Sequence, residues 1–182
     1  MRLSGKSAII TGAGSGFGAG MARKFAAEGA RVLVADINKV AAQEIAAEIG
    51  GIVCQVDVAN GDSVKAMADQ AISDFGQLDI LINNAGVTHL PAPMETISED
   101  DFERVLNVNM RSIYLTARHL VPHMKVNKSG AILNIASTAG VSPRPNLNWY
   151  NASKGWVITA TKALAVELAP FGVRVNALNP VA

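Results

Sequence analysis

Short runs of apolar and β-branched residues alternate with longer stretches of helical periodicity from one end of the chain to the other. Ser7–Thr11, Arg31–Asp36, Ile52–Val56, Leu78–Ile82, Ala131–Ile135 and Val173–Leu178 read as strands. Several are nearly continuous in apolar residues, the pattern of parallel strands covered on both faces. Between them, apolar positions recur with helical spacing over about Phe17–Glu28, Val40–Ile49, Ser63–Phe75, Ser98–Lys125 and Trp149–Pro170. Gly29, Gly50, Gly51, Gly76 and Gly172 stand just past those helix ends, where a left-handed residue closes a helix most easily. Alternation of strand and helix requires right-handed crossovers, and so an α/β fold with a parallel sheet and helices on both faces. The long irregular stretches are about Val87–Pro93 and Ser137–Asn148; no repeat, low-complexity segment or linker divides the chain.

The last two helical patterns differ from the rest. From Gly155 to Ala169 the only charges are Lys162 and Glu167, and apolar or small residues occur on every side. A helix of that kind is covered on more than its sheet side. The cover is either later chain or a second subunit. Self-association as a homodimer or homotetramer is the expectation, because symmetric contacts reuse one patch.

Composition narrows the functional classes. The 182 residues are 49% hydrophobic and 17% charged, which excludes a disordered chain and fits a single domain over residues 1–182. Sixteen Lys and Arg against fifteen Asp and Glu leave a formal charge of +1. That balance argues against nucleic acid as a partner, since phosphate neutralisation needs clustered positive charge. Cys54 is the only cysteine, so no intrachain disulfide and no thiolate metal cage is expected. No run approaches the ~18 apolar residues of a membrane span. The first residues read as neither signal peptide nor anchor. The expectation is a soluble cytoplasmic protein.

The chemistry begins at the first strand, which runs into Thr11-Gly12-Ala13-Gly14-Ser15-Gly16-Phe17-Gly18 and then into a helix. Glycines there permit a tight turn and close approach of a pyrophosphate, and the helix N-terminus offers free N–H donors. Asp36 ends the second strand eighteen positions after Gly18, near the spacing at which a carboxylate accepts from ribose hydroxyls. Two like unit charges at ~4 Å and an effective dielectric of ~20 repel by about 4 kcal/mol. A 2′-phosphate is therefore disfavoured beside Asp36, and Ser15, Ile37 and Asn38 offer no cation. NAD is the expected cofactor, NADP the less favoured one.

Tyr150 and Lys154 stand four apart at the start of a helix, so they share a face with Cβ atoms roughly 5–6 Å apart. A phenol of ordinary pKa is a poor base near neutrality; lowering it by about 3 pH units takes roughly 4 kcal/mol of preferential stabilisation of the phenolate. A neighbouring ammonium and an oxidised nicotinamide supply stabilisation of that kind. Tyr150 would then take the proton of an alcohol, or return it to a carbonyl, while hydride moves to or from the nicotinamide. Ser137 would hold the substrate oxygen where charge develops. His119 and His123 have the i, i+4 spacing of metal ligands, but no third ligand is in evidence and Pro122 lies between them, so no metal is expected.

Asn83-Asn84-Ala85-Gly86 after the fourth strand, Asn109 in the long helix, Ser137 after the fifth strand and Tyr150-Asn151-Ala152-Ser153-Lys154 combine with the glycine turn. Together, in this order and over the whole chain, they resemble the short-chain dehydrogenase/reductase family. The resemblance implies a doubly wound Rossmann fold with sheet order 3-2-1-4-5-6 and a site at the carboxyl ends of the strands. It implies a catalytic set of Asn109, Ser137, Tyr150 and Lys154. Lys154 would also bond the nicotinamide ribose, and Asn109 would position a water in a proton relay. Asp57 would meet the adenine amino group, and Asn84, Ala85 and Gly86 would line the adenosine ribose. Gly12, Ser15, Gly16, Phe17, Gly18, Val58 and Pro180 complete the expected cofactor contacts, and Arg144 and Trp149 flank the pocket.

The implied activity is interconversion of a small-molecule secondary alcohol and a carbonyl. The open choices within it are a 3-oxoacyl-carrier reductase and a sugar or other secondary-alcohol dehydrogenase. A dinucleotide-binding sensor or assembly subunit without turnover is the alternative. One departure from the family pattern bears on this. Val181 follows Pro180 where a glycine is usual, and the sequence stops at Ala182 before a further C-terminal strand and substrate-covering segment. An extension past Ala182 is therefore expected, pairing beside Val173–Leu178 and closing over the nicotinamide.

Overall fold

The computed structural model describes residues 1–181, and the expected extension past Ala182 falls outside them. The strands are β1 (Ser7–Thr11), β2 (Arg31–Asp36), β3 (Ile52–Gln55), β4 (Ile80–Asn83), β5 (Gly130–Ile135) and β6 (Val173–Leu178). The helices are α1 (Gly16–Ala27), α2 (Lys39–Ile49), α3 (Gly61–Phe75), α4 (Glu99–Leu106), α5 (Ser112–Asn127) and α6 (Asn148–Leu168). All strands pair in parallel in the order β3-β2-β1-β4-β5-β6, the Rossmann order expected. The chain winds outward from β1 to β3, returns, and winds the other way from β4 to β6. A crevice therefore opens at the carboxyl ends of β1 and β4, where consecutive loops diverge.

Alternate residues of the strands feed two cores. Ile9, Leu33, Leu81 and Ile132 face α3 and α5, joined by Leu168 from α6. Ile10, Val32, Val34 and Ile82 face α1 and α2. Local chemistry starts the helices. Asn38, Asn60 and Ser98 each accept from the backbone N–H three residues on, the capping bond that satisfies one free amide. Strand β6 departs from the both-faces expectation: Val173 and Val175 are buried under α6, while Arg174, Asn176 and Leu178 are exposed.

One further expectation is corrected. The single helix read over Ser98–Lys125 is α4, a π turn at Asn107–Arg111, and then α5. Such a turn carries an extra residue and swings side chains off the regular helical face. Helix α6 packs one side onto the core and leaves small and apolar residues on the other. Val157 packs inward against Ile113 and Ala136, and Leu164 and Ala165 lie partly buried against the core. The outward stripe is Trp156, Thr159, Ala163 and Val166. Among the described residues no helix is long and apolar enough to cross a membrane.

Candidate active site

The glycine turn is held by side chains of its neighbours. The Thr11 hydroxyl accepts from the backbone N–H groups of Asn84 (3.0 Å) and Ala85 (3.1 Å) and donates to the Ile82 carbonyl (3.3 Å). Asn84 Nδ2 donates to the carbonyls of Thr11 (2.9 Å) and Gly12 (3.1 Å). These bonds clamp the turn after β1 to the end of β4. The contact admits no side chain at two positions. A Cβ on Gly12, where φ is +63°, would lie 2.9 Å from Ala85 Cα. A Cβ on Gly18 would collide with the Gly12 carbonyl oxygen and come within 2.6 Å of Asn84 Nδ2.

Asp36 is not the free strand-end carboxylate that its spacing alone describes. Its Oδ2 accepts from the Gly14 N–H (2.8 Å) and its Oδ1 from the Asn38 N–H (2.9 Å). It shapes the turn as well as facing the cleft, and each oxygen retains further acceptor capacity. Helix α1 opens beside it without a side-chain cap, since Ser15 makes no capping bond and its first turn carries no acid. The positive end of its dipole thus stays available to an anion.

Two clefts join along this edge. The outer one, of ≈ 370 Å³, is walled by the turn from Gly12 to Phe17, by Asp36, by Asp57 and Val58, and by Asn84 to Val87. The inner one, of ≈ 230 Å³, is lined by Ser137, Tyr150, Lys154, Pro180 and Thr88. Phe17, Asn84, Gly86 and Val87 border both, so they form one passage. Every residue singled out for cofactor or chemistry lies on its walls except two. Gly18 packs beneath the turn, and Asn109 is buried behind Val87.

Lys154 is 5% exposed. Its ammonium donates to the Ile135 carbonyl (2.9 Å) and lies 5.8 Å from the Tyr150 ring centre. Burial disfavours its charged form and brings its pKa down to about 8. Ser137 caps a 3₁₀ turn over Thr138–Gly140, its Oγ accepting from the Ala139 N–H (3.1 Å), which leaves the hydroxyl proton unspent in that bond. Asn109 projects from the π turn with its amide fully oriented. Oδ1 accepts from the Val87 N–H (2.8 Å), and Nδ2 donates to the Val87 carbonyl (2.9 Å) and to Ser153 Oγ (3.0 Å). Ser153 in turn donates to the Tyr150 carbonyl (2.7 Å).

Sequence reasoning missed three contributors. Gly140 lets the turn carrying Ser137 rest on the backbone of α6: a Cβ there would lie 2.6 Å from the Lys154 carbonyl carbon. Ser153 ties the π turn to α6, and Asn151 Nδ2 holds the Arg144 carbonyl (2.7 Å). A glycine three residues after Ser137 and two hydrogen-bonding side chains flanking Tyr150 and Lys154 were the only available signals. Trp149 turns towards α4, donating to the Met94 carbonyl (3.4 Å) and meeting Phe102 edge-on at 5.4 Å. His123 Nε2 pairs with Asn127 Nδ2 (3.0 Å), and the described residues contain no group of three metal-ligating side chains.

Residues 6–182 match the family model described as short chain dehydrogenase. The chain is 44% identical to 4-formylbenzenesulfonate dehydrogenase TsaC1/TsaC2 of Comamonas testosteroni, over all of this chain and 74% of that protein. It is 37% identical to a 3-oxoacyl-acyl-carrier-protein reductase, FabG, of Thermotoga maritima, over 99% of this chain and 75% of the other. Among solved structures, a 3-ketoacyl-(acyl-carrier-protein) reductase from Brucella melitensis complexed with NADH superimposes with a TM-score of 0.97 at 50% identity, covering 99% and 77% of the two chains. An NAD+-bound xylitol dehydrogenase gives 0.94 at 35% identity, covering 99% and 71%.

Proposed function

We propose that this chain, which belongs to the short-chain dehydrogenase family, interconverts a secondary alcohol and a carbonyl with NAD through Ser137, Tyr150 and Lys154. One observation carries the reading: a single passage joins the glycine turn and Asp36 at one end to the hydroxyl, phenol and ammonium at the other. The residues fit a nicotinamide dinucleotide. The uncapped start of α1 suits its pyrophosphate, and the bare Cα of Gly12 keeps the turn tight against β4. When bound, the dinucleotide accepts or supplies the hydride.

The remaining work belongs to the chain's own groups. Ser137 donates its free proton to the substrate oxygen, stabilising the charge that develops there. Tyr150 takes the alcohol proton or returns it. Lys154 lends positive charge to the phenolate, and a low-dielectric surrounding strengthens that attraction. A Cβ on Gly86 would lie 3.3 Å from Lys154 Nζ and 3.4 Å from Asn109 Oδ1. Glycine there keeps a side chain from pressing on either group.

Cofactor choice rests on Asp36. NADH is expected to bind at least about tenfold more tightly than NADPH, a gap of about 1.4 kcal/mol. Fluorescence titration with both reduced forms decides it, and equal affinity or tighter NADPH overturns the assignment. Asp36→Ala should narrow the gap chiefly by weakening NADH, because it also removes the acceptor of the Gly14 N–H.

The same reading includes self-association through the outer faces of α5 and α6. Val157, buried at 1% exposure, is unsuitable for testing it, and Val166, at 79%, is the position to charge. Val166→Glu should convert the wild-type oligomer to monomer in light scattering at micromolar concentration. A monomeric wild-type protein contradicts this part of the proposal.

A further inference from the structure

We propose that Thr116, Asn83, Asn134 and Thr161 form a buried latch that sets the height of α5 and α6 on the sheet and so positions Asn109 and Lys154. The inference rests on the dehydrogenase reading above and adds positioning residues to it. The four side chains come from α5, β4, β5 and α6 in turn. They are 1%, 7%, 0% and 5% exposed. Thr116 shares its proton between Asn83 Oδ1 (3.0 Å) and the Ile113 carbonyl of its own helix (3.1 Å), Asn83 Nδ2 donates to Asn134 Oδ1 (2.8 Å), and Asn134 Nδ2 to Thr161 Oγ1 (2.9 Å). Thr161 closes the chain by donating to the Val157 carbonyl of its own helix (2.7 Å).

The direction of each bond follows from that last one. With its proton committed to Val157, the Thr161 oxygen can only accept, so Asn134 must present its amide nitrogen. The Asn134 oxygen then faces Asn83, whose own oxygen is left for Thr116. Asn83 and Asn134 are direct register partners on neighbouring strands. A slide of either helix strands an Asn83 or Asn134 amide atom in a dry interior, where an unpaired polar group is costly, although Thr116 itself keeps the Ile113 carbonyl as an acceptor. Apolar contacts give no such register, because they are non-directional.

The latch is placed where it bears on the site. Thr161 lies seven residues after Lys154, close to two turns along the same face of α6, and Thr116 follows Asn109 in the first turns of α5, just past the π turn. Successive residues of β5 thus grip α6 at two heights: the Asn134 side chain at Thr161 and the Ile135 carbonyl at Lys154. On β4, Asn83 leads directly into Asn84, which braces the glycine turn. A displacement of α6 by one residue is about 1.5 Å, enough to break both grips.

Thr161→Val removes the hydroxyl at nearly constant volume, and Thr161→Ser keeps it. In the active protein, Thr161→Val is expected to lower kcat about tenfold with KM within about twofold, and to weaken NADH by a smaller factor than kcat because Lys154 is also expected to bond the nicotinamide ribose. Thr161→Ser should restore most of the rate. A second readout does not depend on turnover: NMR titration of labelled Lys154, whose midpoint should rise as α6 loosens and water reaches Nζ. Thr116→Val carries the same expectation for kcat and serves if Thr161→Val does not fold. A folded Thr161→Val with reduced Tm but unchanged kcat and Lys154 titration would show that the chain only stabilises the fold. If Tyr150→Phe retains activity, the reading of the site fails instead, and the Lys154 titration still judges the latch.

Discussion

Tyr150→Phe is expected to lower kcat by about 10²–10⁴-fold while leaving NADH affinity nearly unchanged, since only the proton-transfer group is lost. Steady-state rates across an alcohol panel, with NADH binding measured separately, check both halves. Retention of more than about a tenth of the rate is incompatible with a general acid/base role of that size. The same measurement separates an enzyme from a dinucleotide-binding protein without turnover, which would bind NADH and show no rate to lose.

Lys154 should behave in the opposite sense for stability. Its pKa falls from 10.5 to about 8 on folding because the ammonium is buried with one carbonyl partner. Between those two values the unfolded chain holds a proton that the folded one has released, so stability rises with pH across that window. Below about 8 the folded state carries the whole penalty, on the order of 3 kcal/mol. Lys154→Met fills similar space without charge. It is expected to raise Tm at pH 7, even after losing the bond to Ile135, worth about 1 kcal/mol, and to abolish turnover. The gain should vanish below pH 10.5, where the shrinking penalty equals the lost bond. A fall in Tm at pH 7 would mean that the buried ammonium stabilises the fold, against this account.

The second large effect is expected at Gly18. An added methyl collides with the Gly12 carbonyl, and Asn84 Nδ2 blocks the other direction at 2.6 Å. Helix α1 must therefore lift from the turn that it caps. Gly18→Ala should destabilise the fold by about 1–3 kcal/mol and weaken NADH by on the order of 100-fold, or about 2.7 kcal/mol. Gly20→Ala, two residues along the same helix, meets nothing within 4 Å and should stabilise by roughly 0.5–1 kcal/mol. Thermal unfolding and NADH titration of the pair form an internal control. Equal effects at both positions would sink the steric argument.

Much of this molecule is legible in one dimension. The six strands fall within one or two residues of the runs read for them; burial on both faces demands near-unbroken hydrophobicity in β1, β2 and β4, whereas β6 alternates. Alternation and crossover handedness give the parallel sheet by local rules applied repeatedly, while the strand order was what the family resemblance implied, since other doubly wound orders obey the same rules. The glycine turn and the Tyr150, Lys154 pair are likewise short-range patterns, and their residues do meet along one passage.

What tertiary structure decided is who bonds to whom across sequence distance. The helix read through Asn109 breaks into a π turn, and there the Asn109 amide pairs with Val87, twenty-two residues earlier. Asp36 looks like a ribose acceptor by spacing, yet also holds Gly14, twenty-two residues before it. Gly140 is an ordinary loop glycine until α6 packs on it, and Val157 turns inward although its helix is apolar on most sides. The latch from Thr116 to Thr161 has no periodic signature at all. Hydrophobic pattern records which positions leave water, and that can be summed along the chain. A buried polar atom instead needs one partner at one distance and angle, and that partner is chosen only when the separate elements have been placed.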